Sequence, residues 1–443
     1  MNYYADHSEV FSYNKVLSKN NRYLFKFKKV NLHKNNNSRK DSMIELNPFA
    51  AIHLYENERI KLGAFYTPPH VVDKVFELIN PYLNNMNDVV VADIAAGGGA
   101  FLFPCLALSI DYRAADYDDK AISFLKQYFS HEKIFKTNSL VNVSREKFKI
   151  GKEQFLIVVG NPPYNDTTSL YKKNEKGKIE CDEDVYDRDM GIAFLKAYAK
   201  LDADIICILH PLSYLIKEAN FKRLKGFTNS YRIKDGYIFS SKEFLFTKDT
   251  EFPVVIALYE KNKEGMNYDY IRDFEFKLLN SNKRFILSNY ETIDGYIHKY
   301  PPRKNEPKLS SINIYYYTFR DLNSTLRNTT FLDKEHSNGI PVNKENFYKY
   351  AYLYCLKKFV SKIKKQKEDL FIFGNISPLV NKDFVEKNKE LFVIYALKDH
   401  KLFKKYLQLV KELFDFYKIN DKNIDLQKIE KKLNNYFASL YNI

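Results

Sequence analysis

Phe155-Leu156-Ile157-Val158-Val159-Gly160-Asn161-Pro162-Pro163-Tyr164 is the stretch that sets the reading of this chain. Five apolar residues closed by a glycine predict a strand buried on both faces, as in parallel sheets. The four residues after the glycine are chemically more specific. The Asn161 side-chain oxygen and the Pro162 carbonyl are two hydrogen-bond acceptors, and two successive prolines, with fixed φ and no N–H, stiffen the second. Two rigid acceptors at a strand end suit the exocyclic amine of a planar group: they hold both amine hydrogens and draw the lone pair out of the ring while a methyl is added. Tyr164 offers a face on which that plane stacks. A base inside a duplex cannot reach such a site, so the nucleotide must be flipped or single-stranded, at an unstacking cost of roughly a few kcal/mol. The competing reading is a Pro-Pro turn leaving a sheet.

Working upstream, Val89-Val90-Val91-Ala92 predicts another buried strand, followed by Asp93-Ile94-Ala95-Ala96-Gly97-Gly98-Gly99-Ala100-Phe101 and an apolar helical run from Leu102 to Ser109. This is a strand, a glycine turn and a helix. Its spacing is neither GxGxxG nor a P-loop. An acid at the strand end suits a cationic ligand, so Asp93 fits an ammonium and would repel a phosphate. Asp116 ends the next apparent strand, Tyr112 to Ala115, where an acid accepts hydrogen bonds from ribose hydroxyls. Asn138 and Ser139 close a third short strand. Each alone reads as a solvated strand-end residue; three in order at successive strand ends read as a binding edge.

With these motifs in place, the chain resembles the S-adenosylmethionine-dependent adenine-N6 DNA methyltransferases of the gamma arrangement, in which cofactor motifs precede the catalytic motif and target recognition is C-terminal. Leu62-Gly63-Ala64-Phe65-Tyr66-Thr67-Pro68 matches that family's first cofactor segment, Asp93 to Phe101 its glycine motif, Asp116 its ribose acid and Asn161 to Tyr164 its catalytic motif. The resemblance implies S-adenosylmethionine as cofactor, held by Tyr66, Thr67, Pro68, Asp93, Ala95, Gly97, Gly99, Phe101, Asp116, Asn138 and Ser139. It implies catalysis by Asn161, Pro162, Pro163 and Tyr164, with a second aromatic on the far face of the base. Phe246 fits that place best, ahead of the strand Val254 to Tyr259, and Phe244 and Phe252 compete with it. Ala95-Ala96-Gly97-Gly98-Gly99 departs from the family's Pro-Ala/Cys-Gly-Ser/Thr-Gly, Asn138 stands where Asp is usual, and Leu156 where Asp is frequent. His210, after the strand Ile205 to Leu209, reads as structural.

The net charge of +15 is unevenly spread. Residues 1–50 carry 9 Lys/Arg against 4 Asp/Glu, residues 51–300 carry 34 against 35, and residues 301–443 carry 27 against 16. A neutral middle between basic flanks fits a catalytic module beside modules that hold a phosphate backbone, although an AT-rich coding bias also enriches Lys, Asn and Tyr. The expected organisation is a basic N-terminal arm (1–50), a catalytic domain (51–300) and a basic target-recognition domain (301–443). The expected fold is α/β: a doubly wound Rossmann-like methyltransferase domain with a largely helical C-terminal DNA-recognition domain.

Double-stranded DNA is the expected partner, and a companion restriction endonuclease fits the class. No apolar run approaches the ~20 residues of a membrane helix, and no apolar h-region follows Met1. The four scattered cysteines read as reduced core thiols of a cytoplasmic protein, with neither disulfide nor zinc site. The acids between Asp166 and Asp189 lack calcium-loop spacing and read as a solvated loop, so no metal is expected. Asn31 to Lys40 reads as a polar stretch that orders on a partner. Pro301-Pro302 marks a hinge; beyond it Ile314 to Arg320 and Arg327 to Phe331 read either as base-contacting segments or as a half-buried strand pair. Phe347, Tyr350, Ala351, Tyr354, Cys355 and Phe359 form a helical core stripe, with Lys357, Lys358, Lys362, Lys364, Lys365 and Lys367 facing phosphate or water. RNA adenine or protein glutamine methylation, and a non-catalytic DNA-binding subunit, are the alternatives.

Overall fold

The computed structural model describes residues 67–164, 180–244, 251–302, 310–364 and 367–443, and by backbone alone 9–17, 23–31 and 45–46. Tyr66 and Phe246 lie outside the described residues, as does nearly all of the Asn31 to Lys40 stretch. Contacts divide the chain into two compact units, Met1–Asn282 and Lys283–Ile443. The division precedes Pro301-Pro302 because the intervening segment belongs to the second unit: Thr292 bridges to Leu379, and the Ile293 and Val380 amides donate to Pro378 and Glu291 carbonyls at 2.9 and 2.8 Å.

In the first unit, the N-terminal stretch contributes strands. Glu9–Leu17 (β1) pairs antiparallel with Tyr23–Asn31 (β2) and with Glu45–Leu46 (β3). Eight later strands share one sheet: Val89–Asp93 (β4), Asp111–Asp116 (β5), Ile134–Lys136 (β6), Phe155–Gly160 (β7), Ile205–Pro211 (β8), Tyr231–Ser240 (β9), Pro253–Lys261 (β10) and Phe276–Leu278 (β11). Their spatial order is β11-β9-β10-β8-β7-β4-β5-β6. Strands β4 to β8 are mutually parallel, and β10 runs antiparallel to both β8 and β9. The continuous apolar runs of β4, β7 and β8 are explained by burial on both faces, which leaves every β8 residue inaccessible.

The chain runs outward from β4 to β5 and β6, then returns to place β7 on the other side of β4. The winding of the sheet therefore reverses between β4 and β7, and in open parallel sheets, whose crossovers are as a rule right-handed, ligands bind outside the carboxyl ends of the strands at such a switch point. The crossovers include Leu102–Ala107 (α2), Asp119–Tyr128 (α3) and Met190–Lys200 (α4), preceded by Pro69–Asn85 (α1). Helix α1 begins with Pro69 at its first position, where a missing N–H costs nothing, and buries Val71, Val72, Val75, Phe76 and Ile79 at helical spacing. Ser213–Ile216 (α5), Glu218–Arg223 (α6), Lys225–Thr228 (α7) and Tyr268–Asp273 (α8) complete the unit.

The second unit is largely helical. Ile314–Tyr317 (β12) lies between Phe331–Leu332 (β13) and Gly339–Val342 (β14), antiparallel to both. The helices are Leu322–Arg327 (α9), Phe347–Ile363 (α10), Lys382–Lys387 (α11), Lys389–Asp399 (α12), Leu407–Phe416 (α13) and Leu426–Leu440 (α14). The aromatic-rich segments resolve as the strand pair: Tyr316 and Phe331 are buried and meet edge to face at 5.2 Å. The α10 stripe is core throughout. Its lysines are not all displayed outward: Lys357 donates to the Asn328 carbonyl, Lys367 to the Ala438 carbonyl at 3.0 Å, and Lys358 pairs with Asp399 at 2.9 Å. Among the described residues no helix is long and apolar enough to cross a membrane.

Candidate active site

The register of β7 against β4 sets Val158 beside Ala92, so that Gly160 and Asp93 leave the sheet side by side at its carboxyl edge. The closeness requires glycine: a Cβ on Gly160 would stand 3.0 Å from Asp93 Oδ1. Immediately beyond, the Asn161 amide is fixed at both ends. Its nitrogen donates to Thr67 Oγ1 at 3.1 Å, and its oxygen accepts from the Tyr164 hydroxyl. Thr67 is thereby joined to the strand end 94 residues away, and Pro68, buried, caps α1 through its carbonyl. Pro162 is buried while Asn161, Pro163 and Tyr164 are half-buried.

Asp93 is 1% exposed and accepts one backbone N–H, that of Ala95, at 3.1 Å. Burial pushes its carboxyl up to about 8, opposed by the Ala95 bond and reinforced by the neighbouring Asp116. The glycine turn is laced to β5: Gly97 N–H donates to Asp116 Oδ2 at 2.8 Å, and Ala96 N–H to the Ala115 carbonyl at 3.0 Å. Gly97 and Gly99 have φ of +50° and +74°, a region glycine enters freely. Asp116 also accepts from Asp118 N–H at 2.8 Å. Asn138 and Ser139 follow β6 by two residues. The Asn138 side chain accepts from Leu140 N–H and donates to the Glu180 carbonyl, and the buried Ser139 hydroxyl donates to the Ile94 carbonyl at 2.6 Å. Both side chains hold the edge together rather than project from it. Phe101 is also not gathered here; it is 2% exposed in the core.

Residues 102–246, which include this strand end and the Asn161 to Tyr164 motif, match the model of the Eco57I restriction-modification methylases. The matched segment makes up about a third of the chain. No curated protein matches. Similar solved structures include a putative RNA methyltransferase from Pyrococcus horikoshii, at 17% identity over 48% of this chain and 96% of that one (TM-score 0.32). A putative class I S-adenosylmethionine-dependent methyltransferase from Listeria monocytogenes is 15% identical over 49% and 66% of the two chains (TM-score 0.34).

On the side of β7 away from β4 the sheet continues with β8, which runs parallel to it. His210 is wholly buried, with Nε2 2.6 Å from the Tyr259 hydroxyl and Nδ1 3.0 Å from the Pro211 carbonyl, and burial pulls its pKa down to about 4. It is a neutral structural imidazole stacked on Tyr214. The acids before α4 are solvated in part: Glu180, Glu183 and Asp184 are exposed, whereas Asp182, Asp187 and Asp189 are tied down. Asp182 accepts from the Asn142 and Val143 amides and Lys200, Asp187 pairs with Arg223, and Asp189 caps α4 while accepting from the Tyr214 hydroxyl. Among the described residues no cluster of His, Cys, Asp and Glu could hold a metal.

Of the competing phenylalanines, Phe244 is 1% exposed and packs edge to face on Phe239, so it belongs to the core; Phe252 is partly buried against the same cluster. Two residues that no sequence pattern singled out come into view. Asp73 on α1 has a buried Oδ1 without a partner among the described residues, and burial pushes its carboxyl up to about 7 against the pull of His70. Tyr198 on α4 is the other: its hydroxyl, wholly buried, has no hydrogen-bond partner among the described residues. Nothing in an apolar helical run separates such a tyrosine from core.

Proposed function

We propose that this chain transfers a methyl group from S-adenosylmethionine to the N6 amine of an adenine flipped out of DNA. The observation that carries the reading is the Asn161 amide at the switch point of the sheet, held in place between the Thr67 hydroxyl at its nitrogen and the Tyr164 hydroxyl at its oxygen. Pro162 supplies the second acceptor, Tyr164 a stacking face, and Phe246 the opposite face. Asn161 and Pro162 need not titrate, since an amine whose hydrogens are held out of plane attacks directly.

The residues at β4 and β5 fit the cofactor. Asp93, a buried carboxyl held by the Ala95 N–H, suits an ammonium; a Cβ on Gly97 would meet nothing within 4 Å, so the turn leaves room for a ligand. Asp116 is set to accept from a ribose while holding the turn, and Tyr117, 72% exposed beside it, offers a face for a purine. When bound, the cofactor supplies an electrophilic methyl on a sulfonium. DNA as partner is supported by the basic second unit, where exposed Lys401, Lys404 and Lys405 adjoin exposed Tyr406 and Leu407.

The test is transfer of labelled methyl from S-adenosylmethionine to unmethylated genomic DNA, with RNA and protein extract in parallel, followed by nucleoside analysis. N6-methyladenine in DNA is the expected product. Label in RNA or protein instead would replace the substrate, and cofactor binding with no transfer would favour a DNA-binding subunit.

A further inference from the structure

Helix α14 presents two faces of different chemistry. Ile429, Leu433, Tyr436 and Phe437 are buried at helical spacing. On the opposite side Lys428, Lys431, Asn435 and Ser439 follow one another at intervals of three and four, all exposed, with exposed Gln427, Lys432 and Asn434 on their flanks. This face carries no acid. Glu430, the one carboxylate of the helix, is engaged elsewhere, by the Tyr395 hydroxyl at 3.0 Å and by Lys362 at 3.9 Å. The side chains of Gln427, Lys428, Lys431, Asn434 and Asn435 have no hydrogen bond or ion pair among the described residues. Asn435 and Ser439 border a cavity of about 850 Å³, lined also by Asn289 and Asn381, so this end of the face looks onto open space. A coding bias toward Lys and Asn does not by itself clear one face of acids. Several lysines on other helices of the unit do meet them: Lys358 pairs with Asp399 at 2.9 Å, Lys389 with Glu386 at 2.7 Å and Lys398 with Asp421 at 2.7 Å.

We propose that α14 is the element that reads the target duplex, lying in the major groove with Asn435 against a base edge and Lys428 and Lys431 against phosphates; this rests on the DNA methyltransferase reading above. The major groove of B-form DNA is wide enough to admit a helix, whereas that of duplex RNA is too deep and narrow for side chains to read. From Lys428 to Ser439 the stripe rises about 17 Å, the length of about five base pairs. Its unopposed positive charge complements a polyanion. A carboxamide with both ends free donates and accepts at once, which matches the N6 and N7 of adenine in that groove. Asn435 therefore selects an A·T pair other than the one that is methylated, since the methylated adenine leaves the stack. Lys428 and Lys431, two turns and one turn earlier, supply affinity without sequence information.

The test uses the full-length chain, a mixed-sequence DNA duplex for binding and unmethylated genomic DNA for mapping the methylated sites. Lys428→Gln combined with Lys431→Gln should reduce the slope of log affinity for the duplex against log salt by about 2, with the methylated sequence unchanged. Asn435→Ala should keep that slope and relax the methylated sequence at one A·T pair, where the preference over other pairs should fall about tenfold. Because these side chains bond to no other part of the protein, all variants should melt with wild type. An unchanged slope in the lysine variant, an unchanged methylated sequence in the asparagine variant, or melting several degrees lower would overturn the assignment while leaving the DNA reading in place. Wild-type protein that methylates RNA or protein and not DNA would remove that reading and the inference with it.

Discussion

Gly97 and Gly99 offer a paired test of the glycine turn in which one substitution controls for the other. Both adopt left-handed φ, +50° and +74°, so alanine at either costs about 1–2 kcal/mol in backbone conformation alone. Their surroundings differ. A Cβ at Gly99 would meet Leu125 Cδ2 at 2.7 Å and Phe129 Cε2 at 3.1 Å, whereas one at Gly97 meets nothing within 4 Å. Leu125 and Phe129 are themselves buried in the core, and forcing a methyl among such side chains adds about 1–3 kcal/mol. Gly97→Ala should therefore cost about 1–2 kcal/mol and Gly99→Ala about 2–5 kcal/mol. Urea unfolding followed by circular dichroism, with the midpoint falling and the slope unchanged, reads both values. On the proposed reading the order inverts for binding: Gly97→Ala, whose methyl would project into open space at the turn, should weaken S-adenosylhomocysteine binding more than its small stability loss would suggest. If the two variants lose the same stability to within about 0.5 kcal/mol, the contact with Leu125 and Phe129 is not what demands glycine at position 99, and the packing argument fails.

Four further outcomes are expected. Asn161→Ala should abolish methyl transfer yet bind S-adenosylhomocysteine; retained transfer would exclude the amine-holding role. The Asp93 carboxyl, raised to about 8 by burial, retains its proton in the folded state where the unfolded chain has lost it. Its contribution to stability is then fully present below about pH 4 and is lost as pH rises toward 8. Asp93→Asn should accordingly gain stability over wild type between pH 5 and 8 in denaturant titrations, with the gain vanishing near pH 4. Asp187→Ala leaves the Arg223 guanidinium, whose side chain is 22% exposed, without its partner, and should lower stability by about 2–3 kcal/mol in urea unfolding. Replacing Lys404 and Lys405 by Gln should reduce the slope of log affinity for DNA against log salt by about 2 in a fluorescence titration, while Lys357→Gln, whose ammonium is bound to the Asn328 carbonyl, should leave that slope unchanged.

The parts of the fold legible in the sequence are those where one physical cause writes a local pattern. Strands buried on both faces must be apolar without interruption, which exposes β4, β7 and β8, and the chemistry of a parallel sheet collects at carboxyl ends, which singles out Asp93, Asp116 and Asn161. Other features depend on partners far along the chain. The bonds by which the Asn138 and Ser139 side chains tie the edge to Glu180 and Ile94 are of this kind. Asp182, Asp187 and Asp189 look solvated, as Glu183 and Asp184 beside them are, because their partners, Lys200, Arg223 and Tyr214, come after them. The division between the units falls at Asn282 rather than Pro301 since strand-like pairing of Thr292 with Leu379 leaves no mark in composition. Tyr198 is the sharpest instance: an unpaired hydroxyl is a property of a surrounding volume, and no spacing rule encodes it.

The pinned amide of Asn161 has a consequence for which ring substituents are admitted. A free carboxamide rotates by half a turn and serves donors and acceptors alike. Here both ends of the carboxamide are engaged, its nitrogen by the Thr67 hydroxyl and its oxygen by the Tyr164 hydroxyl, so turning it would require both hydroxyls to reverse their roles together. On the proposed reading, a ring bearing an amine would meet two complementary atoms there, and one bearing a keto oxygen in its place, as hypoxanthine does where adenine carries nitrogen, would meet two like dipoles, so that deaminated bases would be refused by repulsion rather than by size.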